Sequence, residues 1–257
     1  MKNKAVLLAA PALGLGLVAM GAAPAMAHDN TGAYAGTLDE INSSGASGEV
    51  WIELEGSTAT VTLNATGLAA EFDGAAYPHV QHIHIGAQGT CPAPSADTNG
   101  DGIISTTEGG PFYGDIGTTL SVGAADKSPA GGLDLAAAPS GATIAYEETF
   151  ELEHATADAL GAGTAVVVVH GLDPATQPES GTSPSDLVPE LPLAATSPAL
   201  CGTLEMQPAG WVDTEVVTAA GVGSTGSELG FVALGGMLVA TAVAGVTVVR
   251  RRAVSGE

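Results

Sequence analysis

Val50-Trp51-Ile52-Glu53-Leu54-Glu55-Gly56-Ser57-Thr58-Ala59-Thr60-Val61-Thr62-Leu63 decides the fold class. Successive side chains of a strand point to opposite faces, so Val50, Ile52 and Leu54 share one face of a first run. Ala59, Val61 and Leu63 repeat the alternation after a Gly56-Ser57 turn, which predicts a β-hairpin. Further strands are expected at His79–Ile85, Thr143–Glu153 and Cys201–Met206. Ala165-Val166-Val167-Val168-Val169 is a continuous apolar run of strand length, suited to burial on both faces. Residues 86–114, 124–141 and 172–198 form long loops rich in Gly, Ala, Pro, Ser and Asp, and loops of that length on a β scaffold are usually functional. No stretch of residues 28–228 keeps a sustained helical period, so the expectation is an all-β domain.

The chain ends carry a different message. Lys2 and Lys4 precede an apolar run to Ala23, and Ala25-Met26-Ala27 has the small-residue pattern of a cleavage site. Residues 1–27 therefore read as a secretory signal peptide. Residues 229–249 form an uncharged apolar run long enough to cross a bilayer, followed at once by Arg250-Arg251-Arg252. The basic cluster predicts a short cytoplasmic tail at 250–257 and a body outside the cell. No LPxTG precedes the span, which favours a single-pass membrane anchor over wall attachment. The expected order is signal peptide 1–27, β domain 28–206, low-complexity linker 207–228, transmembrane helix 229–249 and tail.

The exported body holds one basic residue, Lys127, and 27 of the 28 acids of the chain. Nothing in it can neutralise phosphates, which excludes nucleic acid as a partner. An acidic surface suits a salty or calcium-containing medium and attracts cations. Cys91 and Cys201 are most simply one disulfide in an exported protein, with free thiols or two metal thiolates as alternatives.

Two metal-ligand patterns lie close together. His82-Ile83-His84 places two imidazoles on one strand face, half of a copper or zinc site, and His170 ends the valine run. His79 is a further candidate, although a regular strand would turn it to the opposite face. His154 shares the parity of Phe150 and Leu152 and reads as a buried structural histidine. Residues 97–108 fit the twelve-residue EF-hand calcium loop. Asp97, Asn99 and Asp101 stand at positions 1, 3 and 5, with Gly102 at the sharp turn. Ile103 offers a carbonyl at position 7, Ser105 stands at 9 and Glu108 at 12. Cys91-Pro92-Ala93-Pro94 cannot be a helix entering that loop, and Gly109-Gly110-Pro111 should end any helix leaving it.

Taken in order, these pieces resemble the copper/zinc superoxide dismutase family and its CHRD-type relatives. Gly48 to Gly67 resembles the opening hairpin, His82-Ile83-His84 two copper histidines, and Val168-Val169-His170 the strand of the last one. Pro111 to Gly117 resembles the stretch with the zinc aspartate, here Asp115, while Cys91 and Leu200-Cys201-Gly202 resemble the two cysteine segments. The resemblance implies a Greek-key β-barrel or sandwich, a Cys91–Cys201 bridge and copper on His82, His84 and His170. It also implies superoxide dismutation, but the chain departs from the pattern. No histidine lies between His84 and Asp115 to bridge copper to zinc, and Ser197-Pro198-Ala199 stands where the family has its guiding arginine. Val80-Gln81 replaces the glycine that usually precedes the pair. Superoxide is an anion, and an acidic body repels it. The expectation is therefore copper binding with slow dismutation or none, and calcium ordering the loop where the family holds zinc. The alternative is a non-enzymatic, calcium-stabilised surface module of the CHRD type.

Overall fold

The alternation in Val50–Leu63 becomes a strand pair in a computed structural model that describes residues 31–208. β1 (Gly32–Glu40), β2 (Ser47–Glu55) and β3 (Thr58–Thr66) form an antiparallel meander, with Ile52 opposite Val61 and Val50 opposite Leu63. A small separate hairpin, β4 (Glu71–Phe72) and β5 (Ala75–Ala76), precedes β6 (Gln81–Ile85). Then follow α1 (Thr106–Tyr113), β7 (Asp115–Thr119), β8 (Thr143–Glu151), α2 (His154–Gly161) and β9 (Val166–His170). α3 (Leu193–Thr196), β10 (Pro198–Thr203) and β11 (Glu205–Met206) complete the described chain. The predicted segments 1–27, 229–249 and 250–257, and nearly all of the linker, lie outside the described residues. Among the described residues no helix is long and apolar enough to cross a membrane.

The strand order is β7-β6-β9-β10-β1-β2-β3-β8, with β11 also on β1. The sheet is antiparallel throughout and curls into a half-barrel, so the all-β expectation holds. β1 joins the two halves: it pairs with β2 along most of its length and passes to β10 at Asp39 and Glu40. The edge strands β7 and β8 do not pair. Tyr146 of β8 donates instead to the Ser121 carbonyl beyond β7, at 3.2 Å. β1 lacked a clear sequence signal because Tyr34 and Leu38 are its only large apolar residues. Its Gly36 is small for a reason: a Cβ there would collide with the Thr203 carbonyl oxygen.

Leu38, Val50, Ile52, Leu54, Val61 and Leu63 meet Ile83, Val167, Val169 and Leu200 in the main core. Truncating such a residue to alanine costs about 2–5 kcal/mol. β9 is buried on both faces, as its composition predicts. Its other face, Val166 and Val168, packs with Ile104, Tyr113 and Cys201 in a second cluster under the long loop. Cys91 and Cys201 are joined in a disulfide that ties this loop to β10 across 110 residues.

Two helices correct the sequence reading. α1 runs through Gly109-Gly110-Pro111, where a helix end was expected. Ser105 and Glu108 form a reciprocal capping box that satisfies the first turn. Pro111 forfeits only one internal hydrogen bond in so short a helix. Gly109 also gives room to Tyr113, whose ring a Cβ at that position would strike. The entering side behaves as expected, with only a single 3-10 turn at Pro94–Ala96. α2 was not anticipated either, and it leaves His154 exposed at its first position rather than buried. Strand parity stops mattering there, because Leu152 closes back on the Ser57 carbonyl and the chain turns into the helix at Glu153.

Candidate metal centre

β6 is hydrogen-bonded on both sides, to β9 and to β7, and its residues from Gln81 to His84 are buried. The strand period sends Ile83 into the main core and His82 and His84 to the opposite face. His170 ends β9 on that same face, next in alternation after Val166 and Val168. The three ring centroids lie 5.3–5.9 Å apart. One nitrogen from each ring lies within 4.8 Å of the other two. Among the described residues this is the one group of three or more His, Cys, Asp or Glu side chains to converge so closely.

Each ring is oriented by a backbone carbonyl from a different loop. His82 Nε2 donates to Gly132 at 3.0 Å, His84 Nδ1 to Gly114 at 2.9 Å, and His170 Nδ1 to Thr196 at 2.9 Å. A carbonyl can only accept, so those nitrogens carry the hydrogens and the tautomers are fixed. The opposite nitrogens, His82 Nδ1, His84 Nε2 and His170 Nε2, are buried with no hydrogen-bond partner. Metal-ligating histidines are commonly held this way, with one ring nitrogen donating to a carbonyl or carboxylate and the other left bare.

Burial keeps all three rings neutral. Desolvation first, and then the proximity of His170 and His84, push the His82 pKa well below its ordinary range. Desolvation brings His84 down to about 4. Desolvation and the nearby His84 bring His170 down to about 3. Their lone pairs are therefore free across the physiological range. Tyr113 leans over His84, ring centroids 4.6 Å apart, and donates its hydroxyl to the Thr106 carbonyl at 3.0 Å.

The anchors Gly114, Gly132 and Thr196 escaped the sequence reading, since backbone carbonyls leave no side-chain signal. The two glycines are nonetheless constrained. Gly114 has a left-handed φ of 94°, and a Cβ on it would collide with the Ile85 carbonyl. A Cβ on Gly132 would lie 2.6 Å from Ile116.

The structure does not bring the other candidates into the cluster. His79 is fully buried, but its ring nitrogens face the carbonyls of His170 at 3.0 Å and Ala69 at 2.9 Å. It supports the strand that carries His170. Asp115 is exposed at the start of β7, on the rim of the cavity above the histidines.

The acidic loop closes upon itself. Asp97 accepts from the backbone of Gly100 and Gly102, Asn99 from Asp101, and Asp101 from Ile103. Glu108 accepts from Ser105 through one oxygen and from Thr98 and Asn99 through the other. Desolvation works against the charged form of Glu108, but these bonds outweigh it and hold the carboxyl below its usual range. Ile103 anchors the loop in the main core, and Ile104 exchanges two hydrogen bonds with the Asn42 side chain.

Above the histidines lies a cavity of about 550 Å³. Its walls come from α1, the loop around Leu133, and the segment around Leu187.

No protein-family model matches this chain, and no curated protein matches it significantly. Among solved structures, a point-substituted variant of superoxide dismutase 5 from Candida albicans is similar at 12% identity and a TM-score of 0.36. That similarity covers 71% of this chain and 96% of the other.

Proposed function

We propose that this chain is an exported, membrane-anchored copper-binding domain in which His82, His84 and His170 hold the metal. One observation carries the reading: three buried, partnerless ring nitrogens converge while the opposite nitrogen of each ring is fixed by a carbonyl. Leaving three such atoms bare in a protein interior is costly, and a cation that accepts three lone pairs removes the cost. Three neutral imidazoles suit Cu(I), and a further donor completes Cu(II). Copper lies above zinc in intrinsic affinity for nitrogen donors, and the resemblance of His82-Ile83-His84 and His170 to the superoxide dismutase pattern favours it too.

Copper would supply one-electron chemistry. The chain itself orients the rings through Gly114, Gly132 and Thr196, and packs Tyr113 against His84. Among the described residues no Lys or Arg lines the cavity. With no arginine before Cys201 and an acidic body, superoxide dismutation is expected to be slow or absent. Calcium belongs to the same proposal. The loop from Asp97 to Glu108 adopts tight Asx turns, and its carboxylate oxygens keep further lone pairs for an ion. A calcium-stabilised, non-enzymatic module of the CHRD type is the second reading, favoured by those same turns.

The test is copper quantification and electron paramagnetic resonance on the purified full-length protein, with a dismutase assay alongside. One copper per chain is expected, with nitrogen hyperfine structure in the oxidised Cu(II) form, and the paired variant His82→Ala/His84→Ala should lose it. A protein that stays copper-free at stoichiometric supply sinks the reading.

A further inference from the structure

The cavity above the histidines has walls that neither metal binding nor superoxide chemistry explains. Among the described residues five large apolar side chains are markedly exposed, and three of them, Leu133, Leu135 and Leu187, rim this cavity. They stand 52%, 40% and 48% exposed in a body that is otherwise acidic. Ile116, Val80 and Leu191 continue the apolar lining toward the histidines. Three leucines gathered from two separate loops around one opening form a patch, and exposed apolar patches on soluble domains usually mark binding sites.

Charge narrows the occupant. Asp115 is the one acidic or basic side chain lining the cavity apart from the histidines. The one lysine of the described residues is committed elsewhere: Lys127 donates to the carbonyls of Ser121 and Gly123 and lies over the Phe150 ring. Asp186, next to Leu187, adds a second carboxylate near Tyr113. An anion would meet carboxylates with no counter-charge. A hydrated cation would meet leucines. The volume, about 550 Å³, lies within the range of small-molecule sites.

We propose that this cavity binds a neutral, largely apolar organic molecule of about two fused or linked rings, seated over His82, His84 and His170 with its body against Leu133, Leu135 and Leu187. The inference goes beyond the copper reading. It depends on that reading only for what the ligand would sit beside, and stands on the wall chemistry alone.

The probe is N-phenyl-1-naphthylamine, a neutral dye that brightens in apolar sites, set against its anionic relative 8-anilinonaphthalene-1-sulfonate. Titration of the full-length protein should give one neutral dye per chain, bound at least tenfold more tightly than the anionic one. Leu133→Asp/Leu187→Asp should weaken neutral-dye binding at least tenfold, and Leu135→Asp alone should weaken it less. All three sites are exposed, so the variants should fold, which circular dichroism checks. The titrations use metal-free protein and copper content is measured separately, so failure of the metal reading and failure of this one are separable. Equal affinity for both dyes, or unchanged binding in the leucine variants, overturns the proposal. So does self-association at the titration concentrations that competes with the dye, since the leucines would then belong to a second copy.

Discussion

The histidine cluster and the acidic loop are both built from metal-ligand residue types, yet they treat their lone pairs in opposite ways. Every side-chain oxygen of Asp97, Asp101 and Glu108 accepts a hydrogen bond from the loop itself. The histidines spend one nitrogen each on a carbonyl and leave the other bare and buried. The loop leaves none of these oxygens without a partner. The histidine cluster leaves three buried nitrogens without one, and their desolvation is not offset by any hydrogen bond within the protein. Residue type alone makes the two regions look equivalent, and what separates them is the accounting of hydrogen bonds.

Acid should separate them most strongly. The histidine pKa values are depressed in the folded protein, to about 4 for His84 and about 3 for His170, with His82 well below its ordinary range. Above the unfolded-state value near 6.5, neither state binds a proton, and the rings have no effect on pH dependence. Below it, the unfolded chain takes up protons that the folded chain refuses, so stability falls as pH drops from about 6.5 toward 4. By pH 4 the loss should be on the order of 3 kcal/mol for each of His84 and His170. Denaturant unfolding of the metal-free protein at several pH values measures it. His82→Ala/His84→Ala should flatten the curve, and an unchanged curve would count against the cluster as its source.

Copper should act next, and only on the histidine side. At 1,000 times its dissociation constant a bound ion contributes about 4 kcal/mol, worth roughly 10 °C in melting temperature for a domain of this size. Calcium chelation should move the melt less than copper removal does. The reverse ranking would break the comparison.

Gly114→Ala tests the carbonyl anchor. The substitution forces a left-handed backbone and a collision with the Ile85 carbonyl, at a cost of about 2–3 kcal/mol. Because Gly114 orients His84, copper affinity should also fall roughly 10- to 100-fold. An affinity loss without destabilisation, or the converse, would show that anchor and backbone strain are separable.

Glu108→Gln should give the smallest effect, about 1–2 kcal/mol from weakened capping and loop bonds. Copper affinity should not change. Any calcium-dependent shift in the melt should disappear with it, and a shift that persists would place the ion elsewhere.

Much of the fold is legible in the sequence. Period-two alternation located β2 and β3, and an unbroken valine run located the doubly buried β9, because burial demands apolar side chains wherever a strand face is covered. The shared face of His82 and His84 follows from the same period. β1 stayed hidden because close backbone approach requires small residues such as Gly36, which carry no hydrophobic signal. α1 stayed hidden because its capping box and the seat for Tyr113 outweigh the two glycines and the proline that argue against a helix.

The sequence by itself determined the strand faces, the cysteine and histidine inventory, and the excess of acid over base, since each depends on residue type and local period. The resemblance already grouped His170 with His82 and His84, and the tertiary structure brings the three together; only the tertiary structure decided that both ring nitrogens of His79 face carbonyls. It also decided that Gly114, Gly132 and Thr196 hold the rings from three different loops. Those outcomes rest on backbone carbonyls and long-range strand pairing, which no side chain encodes along the chain. The physical reason is that a bare lone pair is recognised only by what fails to surround it.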